Sequence, residues 1–143
     1  MEFGITFVII AFIMFFIVEC ALYYQAYYST QTFNDEISSN IVLYDVENIC
    51  ENADDEILNM LNLKAQKYFE PNINLLYAEK SAEDMIVQSE SEYFGEKIVN
   101  IKISCNDSSS ISSVKTNYLF RGPFLFRMGQ TLKSTSGAQS PKF

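Results

Sequence analysis

The sequence predicts an α+β protein with a long N-terminal transmembrane and stem helix, a short second helix and a small antiparallel sheet of three to four strands. The chain begins with an apolar segment long enough to span the hydrocarbon core of a bilayer. An amphipathic helical segment follows it after a short connection, and the later residues alternate between apolar and polar side chains as strands do. A length of 143 residues allows one modest domain besides the anchor.

The anchor is the strongest feature of the sequence. Sixteen uncharged residues extend from Phe3 to Val18, and after Glu19 another fifteen extend to Asn34. At 1.5 Å per residue, a helix over residues 3–26 is roughly 36 Å long, whereas a bilayer core is about 30 Å thick. A core helix of a soluble protein would carry a recurring polar stripe, and none occurs before Glu19. A cleaved secretory signal requires basic residues ahead of its apolar segment, and none precedes this one. We therefore expect the anchor to be retained.

The distribution of basic residues gives almost no information on orientation, because the first of them is Lys64. The sequence offers only two residues ahead of the apolar run, so we expect the N-terminus inside and the C-terminal part exported. The predicted organisation is a hydrophobic helix and stem over residues 1–47, an extracytoplasmic α+β head over 48–133 and a polar C-terminal tail over 134–143.

The helical pattern continues beyond the membrane, because residues 25–46 contain neither proline nor glycine. Apolar side chains recur there on roughly helical spacing; they are Tyr24, Tyr27, Tyr28, Ile37, Ile41, Val42 and Tyr44. A second helix is predicted to begin at Asn52 as N-cap, with the acids of residues 54–56 in its first turn. It should end before Pro71, since the residue before a proline avoids the helical region.

After Pro71 the spacing of apolar side chains changes to that of strands. We predict strands over residues 73–77, 84–88, 97–105 and 114–121, of which the third alternates most clearly. The segment 106–113 is rich in serine and is predicted to be a turn.

Charge is segregated along the chain. Between Asp35 and Glu56 lie eight acids and no base, whereas from Lys97 to the end lie seven bases and one acid. These are either two ordinary solvated faces, or an acidic stem that meets a basic sheet within one subunit or between neighbours. The net charge of −8 and the scattered bases argue against a nucleic-acid partner.

No set of residues points to catalysis. The chain has no histidine, and it shows no triad, phosphate-binding glycine loop or zinc pattern, so we predict no enzyme activity, cofactor, metal site or small-molecule substrate. The acids of residues 54–56 are explained by helix capping. Cys20 falls in or near the membrane, whereas Cys50 and Cys105 are a possible disulfide if the head lies in an oxidising compartment.

The chain opens with two acids around its apolar run. Glu2 and Phe3 precede the run, Ile17-Val18-Glu19 closes it, and a long polar helical stretch follows. This pattern resembles the TadE-like family of minor pseudopilins from tight-adherence (Flp-type) pili, whose N-termini carry a Glu-Phe or Glu-Tyr pair, apolar residues and a second Glu. The segment 118–124 is similar to the aromatic, proline-containing strand end of that family.

The resemblance implies a pilin-like structural protein that is inserted in the membrane and incorporated into, or primes, a surface pilus. Its partners would be the membrane and other pilin or pseudopilin subunits, with Glu2, Phe3 and Glu19 acting in helix packing and assembly. Family precursors are cut after a glycine that follows a basic leader. No such leader precedes Glu2, so either it is missing from this chain or the protein is not processed. The alternative is a bitopic scaffold or receptor whose extracytoplasmic domain binds a partner.

Overall fold

The computed structural model describes residues 2–41, 50, 54–81, 83–93, 95–105, 111–122 and 130–136. Within these ranges the chain forms two helices and seven strands. The helices are α1 (Glu2–Ile41) and α2 (Asp55–Tyr68). The strands are β1 (Leu75–Lys80), β2 (Asp84–Ser89), β3 (Glu92–Tyr93), β4 (Glu96–Lys97), β5 (Val99–Cys105), β6 (Ile111–Phe120) and β7 (Gln130–Ser136).

Helix α1 has an exposed N-terminal half and a C-terminal half that packs on the head. We name the side chains that turn toward the head the head-facing stripe; they recur every three or four residues and are Glu19, Tyr23, Ala26, Thr30, Phe33, Ile37 and Ile41. Tyr24 and Tyr28, which contribute to the predicted helical spacing, are 70% and 71% exposed and do not belong to the head-facing stripe. Each residue turns a helix by about 100°, so Tyr24 points away from the direction of Tyr23. The predicted positions Val42 and Tyr44 lie outside the described residues.

Helix α2 begins one residue after Asp54, whose carboxylate accepts a hydrogen bond from the Ile57 amide at 3.2 Å. Asp54 is therefore the N-cap, so the prediction of Asn52 in that role was wrong by two residues; Asn52 itself lies outside the described residues. The helix ends at Tyr68, ahead of Pro71, as the sequence predicted. Its apolar face packs on α1 and on β1.

The main sheet has five antiparallel strands in the order β1-β2-β5-β6-β7, where three to four were predicted. A separate pair, β3 and β4, is inserted between β2 and β5, and Gly95 adopts a positive φ of 81° at its turn. Such two-residue strands are too short to show an alternation of apolar and polar residues.

Strand β7 overturns the predicted boundary of the polar tail at residue 134. Its register pairs Phe120 with Gln130 and Val114 with Ser136, so residues 134–136 belong to the sheet. The segment is polar because β7 is at the edge of the sheet, where only Leu132 among its described side chains is buried. The rest of the predicted tail, residues 137–143, lies outside the described part of the chain.

The core of the head lies between the two helices and one face of the main sheet. Its largest fully buried apolar side chains from the helices are Phe33, Ile37, Ile41, Ile57 and Leu61, and those from the sheet include Leu75, Met85, Val87, Ile101 and Ile103. Cys50 and Cys105 form a disulfide with a Cα–Cα distance of 6.3 Å, across a sequence separation of 55 residues. This bond connects the chain between the helices to the end of β5.

Candidate membrane anchor and assembly surface

The N-terminal half of α1 exposes apolar side chains on all sides. Every large apolar side chain from Phe3 to Val18 is more than half exposed, and Phe3 reaches 92%. A soluble monomer rarely exposes a continuous apolar surface of this size. Among the described residues, α1 is the one helix long and apolar enough to cross a membrane. A helix that is apolar all round requires lipid or other apolar helices on every side.

Glu2 and Phe3 lie at the free end of this anchor. Glu2 is an exposed acid in the first turn of α1, where the helix dipole favours a negative charge. Phe3 is the most exposed of the large apolar side chains. Both side chains are thus accessible to a neighbouring molecule.

Glu19 is 0% exposed and is covered by its own chain. It begins the head-facing stripe, four residues before Tyr23. Because an ionised carboxylate in lipid is costly, this covering is a physical reason for its tolerance in an apolar helix. The three-and-four spacing from Glu19 to Ile41 is the sequence signal that would have revealed this orientation.

A buried polar contact fixes α1 on the sheet. The Thr116 hydroxyl on β6 donates a hydrogen bond to the Asn34 side-chain oxygen at 2.7 Å, and both residues are 0% exposed. The Ser38 hydroxyl donates to the Asn34 backbone carbonyl at 2.8 Å. Buried polar groups require partners, so sliding α1 along the sheet would break the contact with Thr116. The sequence analysis missed Asn34, although a polar residue among apolar positions of a helix is a signal for such a contact.

Aromatic rings fill the joint between α1, the end of α2 and β6. The centroids of Phe33 and Phe69 are 4.6 Å apart, and Phe69 stacks on Tyr118 at 4.4 Å. Nearer the membrane, Tyr23 meets Phe120 edge to face at 5.6 Å. Such pairs add to the stability gained by burying the rings, so the helix and the head behave as one unit.

Part of the stem's acidity is neutralised within the chain. Tyr68 donates a hydrogen bond to Glu36, and the Lys64 ammonium lies 3.0 Å from the other Glu36 oxygen. The hydrogen bond from Tyr68, and then that from Lys64, hold the pKa of Glu36 below its ordinary value of 4.5. Lys64 is on α2, so this stem acid is paired between the two helices and not with the sheet.

A groove of about 530 Å³ opens between α1, the end of α2 and β6. An ion pair between Arg121 and Glu70 lies in its wall, and the Arg121 guanidinium sits over the Tyr93 ring at 5.4 Å from the centroid. The charged side chains of the groove thus already interact with each other, and Arg121 also contacts an aromatic ring. Within the described residues, no group of three or more His, Cys, Asp or Glu side chains is placed to hold a metal ion.

The chain was compared with protein-family models, curated proteins and solved structures, and none of them matches it. The resemblance of the N-terminus to TadE-like pseudopilins therefore stays a prediction from the motif.

Proposed function

We propose that this chain is a pilin-like structural protein, a minor pseudopilin that is inserted in the membrane and is incorporated into, or primes, a surface pilus filament. The observation that carries the proposal is the division of α1. One uninterrupted helix of 40 residues exposes its apolar first half and docks its second half on an antiparallel sheet.

This division suits a subunit that moves from lipid into a filament. Before assembly, lipid tails cover the apolar half of α1; afterwards, the helices of neighbouring subunits cover the same surface. Apolar area stays out of water in both states, so the transfer has little hydrophobic cost. The docked half keeps the head folded throughout, because its contacts lie within one chain.

An exported head is supported by the Cys50–Cys105 disulfide. Disulfides persist in oxidising compartments and are rare in the cytosol. The head follows the anchor in the chain, so an exported head requires the N-terminus of α1 on the inner side.

In the proposed filament, Glu2 neutralises the N-terminal amine of a neighbouring subunit. Packing draws the helix ends into a bundle of low dielectric constant, where an unpaired amine is costly and a carboxylate partner offsets that cost. Glu2 is exposed in the single chain, so its carboxylate is available for this pairing. Phe3 then packs among the neighbouring helices.

The test compares Glu2→Ala and Glu2→Gln with wild type in membrane and sheared-filament fractions. Removing one partner of a buried ion pair costs about 3–5 kcal/mol, and about 1.4 kcal/mol corresponds to a tenfold change. We therefore expect filament incorporation to fall more than about tenfold while the amount in the membrane stays unchanged. Asp35→Ala is the matched control, because Asp35 is an exposed acid of α1 outside the apolar run.

Normal assembly of Glu2→Ala, or the absence of the wild-type chain from every filament fraction, would reject the pilin-like mechanism. The bitopic scaffold or receptor would then be the better explanation, because it needs an anchor that stays in lipid. Glu19→Ala is unsuitable as a control, since Glu19 is buried against its own chain and its loss would disturb the docking of α1.

A further inference from the structure

We infer that the outer face of the main sheet binds the acidic N-terminal end of α2 in a second copy of the chain. The inference identifies the contact between heads in the proposed filament, and it rests on the proposed function. Three exposed lysines define the surface, which we call the lysine face: Lys102 on β5, Lys115 on β6 and Lys133 on β7.

The strand register places the three lysines next to one another. Lys102 and Lys115 are direct cross-strand partners, and Lys133 is paired with Asn117, two residues beyond Lys115. Partners on adjacent antiparallel strands have Cβ atoms about 5 Å apart, and diagonal neighbours are about 7–8 Å apart. The lysines therefore form one continuous patch.

This patch lies on the side of the sheet opposite to α1. Side chains along a strand alternate between the two faces. Ile101 and Ile103 flank Lys102 and are buried, and Thr116 next to Lys115 is bonded to Asn34 of α1. The lysines consequently point away from both the core and the stem.

Among the described residues, the lysine face carries more positive than negative charge. Like charges directly opposite each other destabilise a sheet, and Lys102 and Lys115 are such a pair. The ion pairs formed among the described residues involve none of the three lysines. Asp84 lies diagonally from Lys102 across β2 and β5, whereas Lys133 is opposite the neutral Asn117. A partner that brings negative charge would therefore relieve the repulsion.

The complementary charge is at the start of α2. Asp54, Asp55 and Glu56 are consecutive and exposed. The cap Asp54 lies beside the edge strand β1, because the Tyr77 hydroxyl on that strand donates to its backbone carbonyl at 2.5 Å. Three acids thus match three lysines in number, and matched charges favour a specific orientation of two partners.

These two surfaces cannot meet within one copy. The acids lie at the β1 edge, on the side of α2, which packs on α1. Lys102 is two strands from β1, about 10 Å at the ordinary spacing, and projects from the other face. Contact between these two surfaces therefore requires a neighbouring copy. A contact of two different patches is heterologous, and it propagates into a ring or an open filament.

The test uses a carbodiimide, which joins amines to carboxylates in direct contact. Full-length chains of light and heavy isotope composition are mixed, reconstituted in neutral phospholipid vesicles and cross-linked. We expect light-to-heavy peptide pairs that join residues 54–56 to the lysine face. In the double variant Lys102→Glu/Lys115→Glu only Lys133 of the lysine face can still react, and its pairs with residues 54–56 should fall at least about tenfold, as the loss of about 1.4 kcal/mol or more predicts.

Reversing the charges on both surfaces tests whether the contact can be restored. Mixing Lys102→Glu/Lys115→Glu with Asp55→Lys/Glu56→Lys should restore the intermolecular pairs, which a misfolded variant cannot do. Lys67→Glu/Lys80→Glu is the matched control, because it makes the same change of charge at two exposed lysines outside the lysine face and should leave the cross-links intact.

Cross-links found only within one chain, cross-links at other positions, or failure of the rescue would each overturn the inference. The outcome is separable from that of the proposed function. If the intermolecular cross-links form in vesicles but cells yield no filament fraction, the proposed pilus function is rejected and the contact between heads is retained. If filaments form but the cross-links do not, the contact between heads is rejected and the proposed pilus function is retained.

Discussion

The disulfide is expected to increase the free energy of unfolding of the head by an amount that can be calculated. Cys50 and Cys105 are 55 residues apart, so their bond closes a long loop of the unfolded chain. The loop-entropy relation for this length gives about 4 kcal/mol of stabilisation at 25 °C. A domain of this size has a urea dependence of about 2 kcal/mol per M, so breaking the bond should lower the unfolding midpoint by about 2 M.

The assay is equilibrium unfolding of the full chain in detergent micelles. Near-ultraviolet circular dichroism suits it, because the chain has no tryptophan and the packed tyrosines of the head, such as Tyr118, report on its tertiary structure. The double variant Cys50→Ala/Cys105→Ala and the reduced wild type should shift alike. Cys20→Ala is the control, because this thiol is free and lies on α1.

A midpoint within about 0.5 M of wild type in both the reduced protein and the double variant would refute the reasoning. It would mean that Cys50 stays near β5 without the bond. A shift in the double variant alone would instead point to packing, since Cys50 is fully buried and its replacement by alanine leaves a small void.

Two further predictions concern the stem and the edge of the sheet. Phe33→Ala removes a fully buried ring and should lower the free energy of unfolding in urea by about 3–5 kcal/mol, whereas Tyr28→Ala, at an exposed position, should change it by less than about 0.5 kcal/mol. Equal effects would contradict the head-facing stripe. Burial, followed by the charges of Asp54 and Asp55, raises the pKa of Tyr77 from the ordinary 10.0 to about 12. The neutral hydroxyl therefore stabilises the fold fully below pH 10, and this contribution is lost as the pH rises through about 12. Tyr77→Phe should remove that component from alkaline unfolding curves, and an unchanged alkaline slope would be evidence against it.

The parts of the fold that were predictable are those whose signal is contained in one segment. The apolar run of the anchor, the end of α2 before Pro71 and the alternation of β5 each depend on neighbours within a few residues. Prediction of the second helix was right in type and in its end before Pro71, because capping acids and a proline act locally.

The parts that were missed depend on contacts between distant segments. Strand β7 is held by its backbone pairing with β6, and its serines and threonines gave no apolar pattern. The face of the stem that packs on the head was not predicted, because tyrosine suits both an interface and a core, and only packing on the sheet selects Tyr23 over Tyr24. Asn34 gains its role from Thr116, which is 82 residues away.

The anchor and the head cannot be positioned independently, because one helix supplies both. No glycine or proline occurs between Gly4 and Ile41, so α1 lacks the residues at which helices usually bend sharply. The contact of Asn34 with Thr116 fixes the register of the stem, since a shift by one turn, about 5.4 Å, would break it. In the proposed assembly, the packing of neighbouring anchors would therefore set the separation and rotation of their heads. The acidic end of α2 and the lysine face could then meet only at the separation that the anchors impose. Contact between heads would add selectivity to the packing of apolar helices, which by itself distinguishes poorly between subunits.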